Sequence, residues 1–185
     1  MSFGNILTDA VKNHFNKDDD NDKDDLNHAV SHASAHASSN EDSSLFSQAL
    51  SFVKERNSQG SYNDDVDEDH VVNSHKRYEE GGNNMDSRDL GAGAAMQALK
   101  MFNSGSGENT GGGKDKNAFI GMAMAQAGKM WEEKAGKGEA SGDKQSAVNQ
   151  AAEMAFKMYM KSQMSGSGGT GGPSGLMGLA SKFLK

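Results

Sequence analysis

One short motif occurs three times in the second half of this 185-residue chain and constrains its fold more than any other feature. The copies read AAMQALKMF, AMAQAGKMW and AAEMAFKMY, at residues 94–102, 123–131 and 151–159. Each copy closes on alanine, a variable residue, lysine, methionine and an aromatic residue, and successive copies lie 29 and then 28 residues apart. That period suits a helix of about 18 residues followed by a connector. We therefore predict three similar amphipathic helices.

Each copy is predicted to bury one face of its helix. In the first copy, Ala98 and Phe102 are four residues apart and therefore meet on one side of a helix. Lys100 points away from the aromatic ring and can stay in water. Glycine-rich connectors, NSGSGENTGGGKDKN and GKGEASGDK, separate the copies. Helix packing explains this repeat without any ligand.

Helical patterns also precede the repeat. Residues 3–15 and 45–53 each carry an apolar stripe at helical spacing, and residues 26–37 carry a weaker, alanine-rich stripe. Between residues 66 and 82 the pattern predicts a polar helix that a Gly-Gly pair would end. Its inward side chains are predicted to be Val71, His75 and Tyr78.

These patterns predict an all-α protein, a small bundle of four to five amphipathic helices with glycine-rich connectors and loosely attached terminal helices. We expect residues 1–40 to form an amphipathic, acidic and histidine-rich segment that is partly disordered. Residues 41–164 would form the helical domain that carries the repeat. Residues 165–185 would form a glycine-rich linker and a short amphipathic C-terminal helix.

Charge separates the two halves of the chain. Residues 1–90 carry 19 acidic and 8 basic side chains, whereas residues 91–185 carry 7 and 11. The net charge of −7 opposes binding to nucleic acid, whose affinity for proteins depends on neutralised phosphates. With no cysteine, no secretory signal pattern and no run of about 20 apolar residues, we expect a soluble protein of the cytoplasm and nucleus.

The stretch HAVSHASAHA places His28, His32 and His36 four residues apart, as in a helical metal site. On a helical wheel these histidines flank the apolar face instead of pointing into it. No glutamate lies between them, as it does in zinc proteases, and the sequence supplies no further ligand. We therefore expect surface histidines and no metal site, with metal binding and a pH switch as the alternatives.

Other motifs that resemble binding sites lack essential residues. The acidic runs DDDNDKDD and DDVDEDH have neither the turn glycine nor the closing glutamate of an EF-hand. GENTGGGKD has glutamate and aspartate where a phosphate loop needs glycine and serine or threonine. We expect no cofactor, no catalytic residue, no small-molecule substrate and no enzyme activity. Only a pocket that brings His70 and His75 together with acidic side chains would reopen that question.

The methionine-rich second half suggests an adaptable surface for a protein partner or for self-association. The predicted contact residues are Phe102, Met122, Met130, Trp131, Phe156 and Tyr159. The alternative is a membrane-surface or stress-protective protein whose terminal amphipathic segments meet lipid. At the C-terminus that contact would use Leu176, Leu179 and Phe183.

A succession of segments resembles a fungal family of uncharacterised helical proteins, the beta-flanking proteins. The segments are DSSLFSQALSFV, DEDHVVNSHKRYEEGG, LGAGAAMQALKMF, FIGMAMAQAGKMWEEK, KQSAVNQAAEMAFKMYMKSQ and the terminal GLMGLASKFL. The resemblance covers residues 40–185, and the first 40 residues more loosely. It implies a small, mostly helical fungal protein and supplies no catalytic residue.

Overall fold

The computed structural model describes residues 26–38, 42–60, 66–104 and 116–164. The helices in these ranges are α1 (Asn27–His36), α2 (Ser43–Ser58), α3 (Glu68–Glu79), α4 (Ser87–Asn103), α5 (Lys116–Gly136) and α6 (Lys144–Met164). The all-α class is therefore confirmed for the described part of the chain, but it contains six helices and not four to five. The stripe at 3–15 and the tail residues Leu176, Leu179 and Phe183 lie outside that part.

The three helices that carry the repeat form the centre of the bundle. Helices α4, α5 and α6 all pack against one another. Each contributes two alanines, one turn apart, that are fully buried: Ala94 and Ala98, Ala123 and Ala127, and Ala151 and Ala155. Alanine has the smallest side chain that still favours a helix, so these positions let neighbouring helices approach closely. The predicted repeat of packed helices is confirmed.

Each central helix carries one outer helix: α3 packs on α4, α1 on α5 and α2 on α6. The approach of α1 depends on Gly121, where an added Cβ would lie 2.6 Å from Cβ of His32 and 2.7 Å from the carbonyl oxygen of Ala29. Leu26, Ala29 and Ala33 are buried in the same core as the central helices. This close packing corrects the expectation that the helix at 27–36 is loosely attached. The domain limit at residue 40 stays a prediction.

The loop before α4 and the loop before α6 meet at one end of the bundle. The Met85 amide donates to the Glu139 carbonyl (3.0 Å), and the Ser141 amide donates to the Met85 carbonyl (2.9 Å). Ser87 Oγ donates to the Asp143 carbonyl at 3.0 Å, so α4 and α6 begin side by side. Among the described helices, none is long and apolar enough to cross a membrane.

Candidate functional site

The densest group of ionisable side chains lies where α3 crosses α4. Gly93 of α4 is at the crossing, because a Cβ there would lie 3.4 Å from the Ser74 carbonyl oxygen and 3.5 Å from Cα of His75. We call the charged and polar groups around it the α3–α4 junction: His70, Ser74, His75, Arg77 and Glu79 of α3 with Asp89 and Lys100 of α4. They form two clusters, one centred on each α4 residue.

The first cluster surrounds the carboxylate of Asp89. Arg77 Nη1 donates to it at 2.8 Å, Ser74 Oγ donates at 3.5 Å, and His70 Nε2 lies 3.9 Å from Oδ1. Serine, histidine and aspartate are the residues of a hydrolase triad, in which the imidazole lies between the hydroxyl and the carboxylate. Here the carboxylate binds the hydroxyl itself, and His70 Nε2 has no hydrogen-bond partner. Because no imidazole lies between the Ser74 hydroxyl and the Asp89 carboxylate, this arrangement does not activate Ser74 as a nucleophile.

The second cluster surrounds the imidazole of His75, which is only 5% exposed. His75 Nε2 lies 3.1 Å from Lys100 Nζ and 3.3 Å from Glu79 Oε1, and Lys100 donates to Glu79 at 3.1 Å. Burial lowers the pKa of His75, Glu79 opposes that change and Lys100 adds to it. The Lys100 hydrogen bond in turn lowers the pKa of Glu79, with His75 contributing. The imidazole is therefore neutral near pH 7, and its Nδ1 is buried without a partner.

The two histidines do not converge on one site. His70 faces Asp89, whereas His75 faces Glu79 and Lys100. Within the residues that the structure describes, no group of three histidine, aspartate or glutamate side chains could hold a metal ion. What the junction does is join α3 to α4.

The histidine row lies along the flank of α1, as the wheel predicts. His28 is exposed, and His32 and His36 are half-buried. His32 lies against α5 beside Gly121, so packing between helices sets its position. Over the described ranges these three residues belong to no group that could hold a metal.

Four of the six predicted contact residues lie in the core. Phe102, Met122, Met130 and Phe156 are at most 4% exposed, and the Phe102 ring packs 5.5 Å from that of Phe119. Trp131 and Tyr159 are half-buried at the surface. A partner that leaves the core intact can therefore touch only these last two directly.

The lysine of the repeat behaves differently in each copy. Lys129 is exposed, as predicted. Lys100 pairs with Glu79, and Lys157 pairs with Glu153 at 3.0 Å with its side chain only 14% exposed. The lysine is exposed only in the second copy, because acidic partners lie within reach of Lys100, which is half-buried, and of Lys157, which is mostly covered.

Sequence reasoning missed two lysines that form ion pairs inside the bundle, the half-buried Lys144 and the buried Lys134. Lys144, at the start of α6, pairs with the buried Asp42 and with Glu132. Lys134 is 2% exposed, and it donates to the Gly82 carbonyl (2.8 Å) and to Glu139 (3.0 Å). One feature of the repeat could have indicated the position of Lys144. The variable residue of the motif is Leu99 in the first copy and Phe156 in the third, but it is glycine, Gly128, in the second.

Lys134 also lies over an aromatic ring. Its Nζ is 5.5 Å from the centroid of Tyr78, whose hydroxyl donates to Glu133 at 2.5 Å. Burial raises the pKa of Tyr78, and the hydrogen bond to Glu133 raises it further. These contacts tie the end of α3 to the end of α5.

A groove of about 390 Å³ lies between α2 and α6. It is lined by Ser47, Gln48, Ser51, Phe52, Glu55 and Asn149. The hydroxyls of Ser47 and Ser51 donate to carbonyls one turn earlier in their own helix. Because these hydroxyl protons are already engaged, the groove offers no activated nucleophile.

Comparison with known protein families gives a match over part of the chain. Residues 25–107 are similar to a domain of unknown function, DUF7721. No curated protein and no solved structure matches the chain. The DUF7721 match contains α1 to α4 and the first copy of the repeat, whereas the second and third copies lie beyond it.

The DUF7721-like stretch depends on helices outside it. Helices α1 and α2 belong to the matched range, yet they pack mainly on α5 and α6. Within the range, the α1–α2 pair and the α3–α4 pair make few contacts with each other. In this chain, the DUF7721-like stretch and the last two repeat helices therefore share one core.

Proposed function

We propose that this chain is a non-enzymatic protein-interaction or self-association module. The observation that carries the proposal is the position of the repeat's aromatic residue. It is buried as Phe102 in α4 but half-buried at the surface as Trp131 in α5 and Tyr159 in α6. Tryptophan and tyrosine are enriched in protein interfaces, where they often dominate the binding energy.

The pairing of the charged groups supports a non-catalytic role. In the α3–α4 junction and around Lys134 and Lys144, ionisable side chains bind one another across helices. Their hydrogen-bonding capacity is used to hold the bundle together. The partner proposed is a protein or a second copy of the chain, because the net charge of −7 disfavours nucleic acid.

The proposal also covers the cellular location of the chain and its family resemblance. We place the chain in the cytoplasm and nucleus on the basis of its composition. The match to a domain of unknown function is compatible with the fungal beta-flanking resemblance, which extends beyond residues 25–107. Neither statement bears on the contact surface.

The test compares the chain with variants at the two surface aromatics. The full chain, Trp131→Ala, Tyr159→Ala and Lys129→Ala are purified under native conditions. Associated proteins are identified by mass spectrometry, and self-association is measured by sedimentation velocity. Lys129 is the matched control because it is exposed and lies two residues from Trp131.

Loss of a reproducible partner, or of dimer, in either aromatic variant but not in Lys129→Ala supports the proposal. Circular dichroism must show that helicity is retained in each variant. Association that survives both aromatic changes, or no association at all, contradicts it.

A further inference from the structure

Helix α3 buries less apolar surface than its neighbours. Val71 is its one fully buried apolar side chain, whereas the neighbouring outer helix α2 buries Phe46, Ala49, Leu50 and Val53. The burial of one valine removes little apolar surface from water. Of the described helices, α3 packs extensively only against α4. Its apolar attachment is therefore weak and rests on a single neighbour.

Charged groups supply much of the remaining attachment. At the α3–α4 junction, Arg77 and Lys100 pair with Asp89 and Glu79 through side chains that are partly exposed. Elsewhere α3 contacts α5 through the half-buried Tyr78, which lies beneath Lys134 and donates to Glu133. It contacts α6 through Glu68, which pairs with Lys161. Ion pairs of this kind each change an equilibrium by no more than about fivefold and weaken as salt screens them.

His75 lies within this attachment, where burial disfavours a positive charge on its imidazole. The charged groups that face it are Glu79 of its own helix and Lys100 of α4. From α5, the methyl group of Met130 lies beside Gly93 at the same crossing and can solvate no charge. A proton on the buried imidazole of His75 would place a second cation next to the Lys100 ammonium.

We infer that α3 is a releasable strap over α4. It detaches when His75 gains a proton or when salt screens its ion pairs, while the other five helices keep their packing. Release uncovers the part of α4 around Gly93, which α3 covers in the closed form.

The direction of the pH response follows from burial. The folded form holds His75 neutral, so its pKa is lower than the ordinary value of 6.5. The attachment is complete above pH 6.5 and weakens as the pH falls below it. Below pH 6.5 the open form takes up a proton on His75 more readily than the closed form, so the closed-to-open ratio falls.

Hydrogen exchange of the full chain, followed by mass spectrometry, tests the strap. Rates at pH 7.5 and pH 5.5 are corrected for the intrinsic pH dependence of amide exchange. We expect amides 68–79 to lose protection at pH 5.5, by up to about tenfold, while amides 43–58 of α2 do not change. His75→Gln removes the pH response, and about 1 M NaCl still opens α3 in this variant.

The repeat supplies a matched pair of variants at one motif position. Lys100→Met removes a charge that binds α3, whereas Lys129→Met removes an exposed charge from α5. We expect Lys100→Met to raise exchange across 68–79 by up to about fivefold at pH 7.5 and Lys129→Met to leave it unchanged. These two variants decide the matter if His75→Gln does not fold.

Each of the following results would contradict the proposal that α3 is a releasable strap. The first is protection of α3 equal to that of α2 at both pH values. The second is loss of protection by all helices together, which would place α3 in the same cooperative unit as the rest. The third is an unchanged response in His75→Gln or no difference between the two lysine variants.

Discussion

A Cβ placed on Gly128 would lie 3.3 Å from Cε of Lys144, so the Lys144 side chain fills the space that a larger residue would need there. The other copies have Leu99 and Phe156 at this motif position. In the second copy this space holds an ion pair between Lys144 and Asp42. Asp42 is buried, with only 4% of the residue exposed. The repeat thus departs from its pattern where the ion pair between Lys144 and Asp42 must be accommodated.

Replacing Gly128 with leucine is expected to expel Lys144 and leave Asp42 buried without its partner. Losing one partner of a buried ion pair costs about 3 kcal/mol, so the free energy of unfolding should fall by that amount. Urea unfolding measures the change. Gly136→Leu is the control, because a Cβ on Gly136 meets nothing within 4 Å.

A second change separates lost charge pairing from poor packing. Asp42→Asn in the Gly128→Leu background removes the uncompensated charge, so we expect it to restore part of the lost stability. If Asp42→Asn restores nothing, the cost of Gly128→Leu comes from overpacking and the role assigned to Gly128 is wrong.

The start of α6 should respond to acid through Asp143. The Ser146 amide and hydroxyl each donate to its carboxylate at 2.8 Å, and these bonds lower the pKa of Asp143 below its ordinary 3.8. A lowered pKa in the folded state contributes stability above pH 3.8 that is lost as the pH falls below it. Asp143→Ala should cost about 1 kcal/mol at pH 7 and reduce the fall in melting temperature between pH 5 and pH 3. An unchanged acid slope would contradict this capping role.

Local periodicity predicted the parts of the fold that depend on local contacts. The polar helix at 68–79 turns Val71 and His75 inward and half-buries Tyr78, and Gly81 follows it with a φ of 76°. The alanines of the repeat are buried because they recur at helical spacing on one face. Such contacts are encoded within a few turns of one helix.

Contacts between distant residues were not predictable in this way. Lys144 and Asp42 are 102 positions apart, and no periodic signal joins them. The predicted contact surface included Met122 and Phe156 because apolar helix positions look alike in sequence, whether they face the core or a partner. Of the six predicted contact residues, the packed helices bury four and leave only Trp131 and Tyr159 partly outside.

Zinc should have no effect on the described helices. His32 and His36 are half-buried on a helix flank, and no third ligand from the described residues completes a site. We expect titration with zinc to leave helicity and melting temperature unchanged. A rise in melting temperature that EDTA reverses would restore the metal interpretation of the histidine row.

Lipid binding separates the interaction module from the membrane-surface alternative. Liposome flotation compares the intact chain with a chain that ends at Gln163 and therefore lacks Leu176, Leu179 and Phe183. We expect equal or absent binding to vesicles that contain anionic lipid, because two tail lysines supply only about 1 kcal/mol each. Flotation of the intact chain that is lost on shortening would favour the membrane alternative.

The central claim is that the repeat helices are the shared core on which the DUF7721-like helices depend, since α1 and α2 pack on α5 and α6. Urea unfolding of residues 26–164 and of residues 26–107, each followed by circular dichroism, tests it directly. We predict one cooperative transition for 26–164 and none for 26–107, whose apolar faces lack their cover. A cooperative transition of 26–107 with the same stability would show that the first four helices fold alone and would contradict the account.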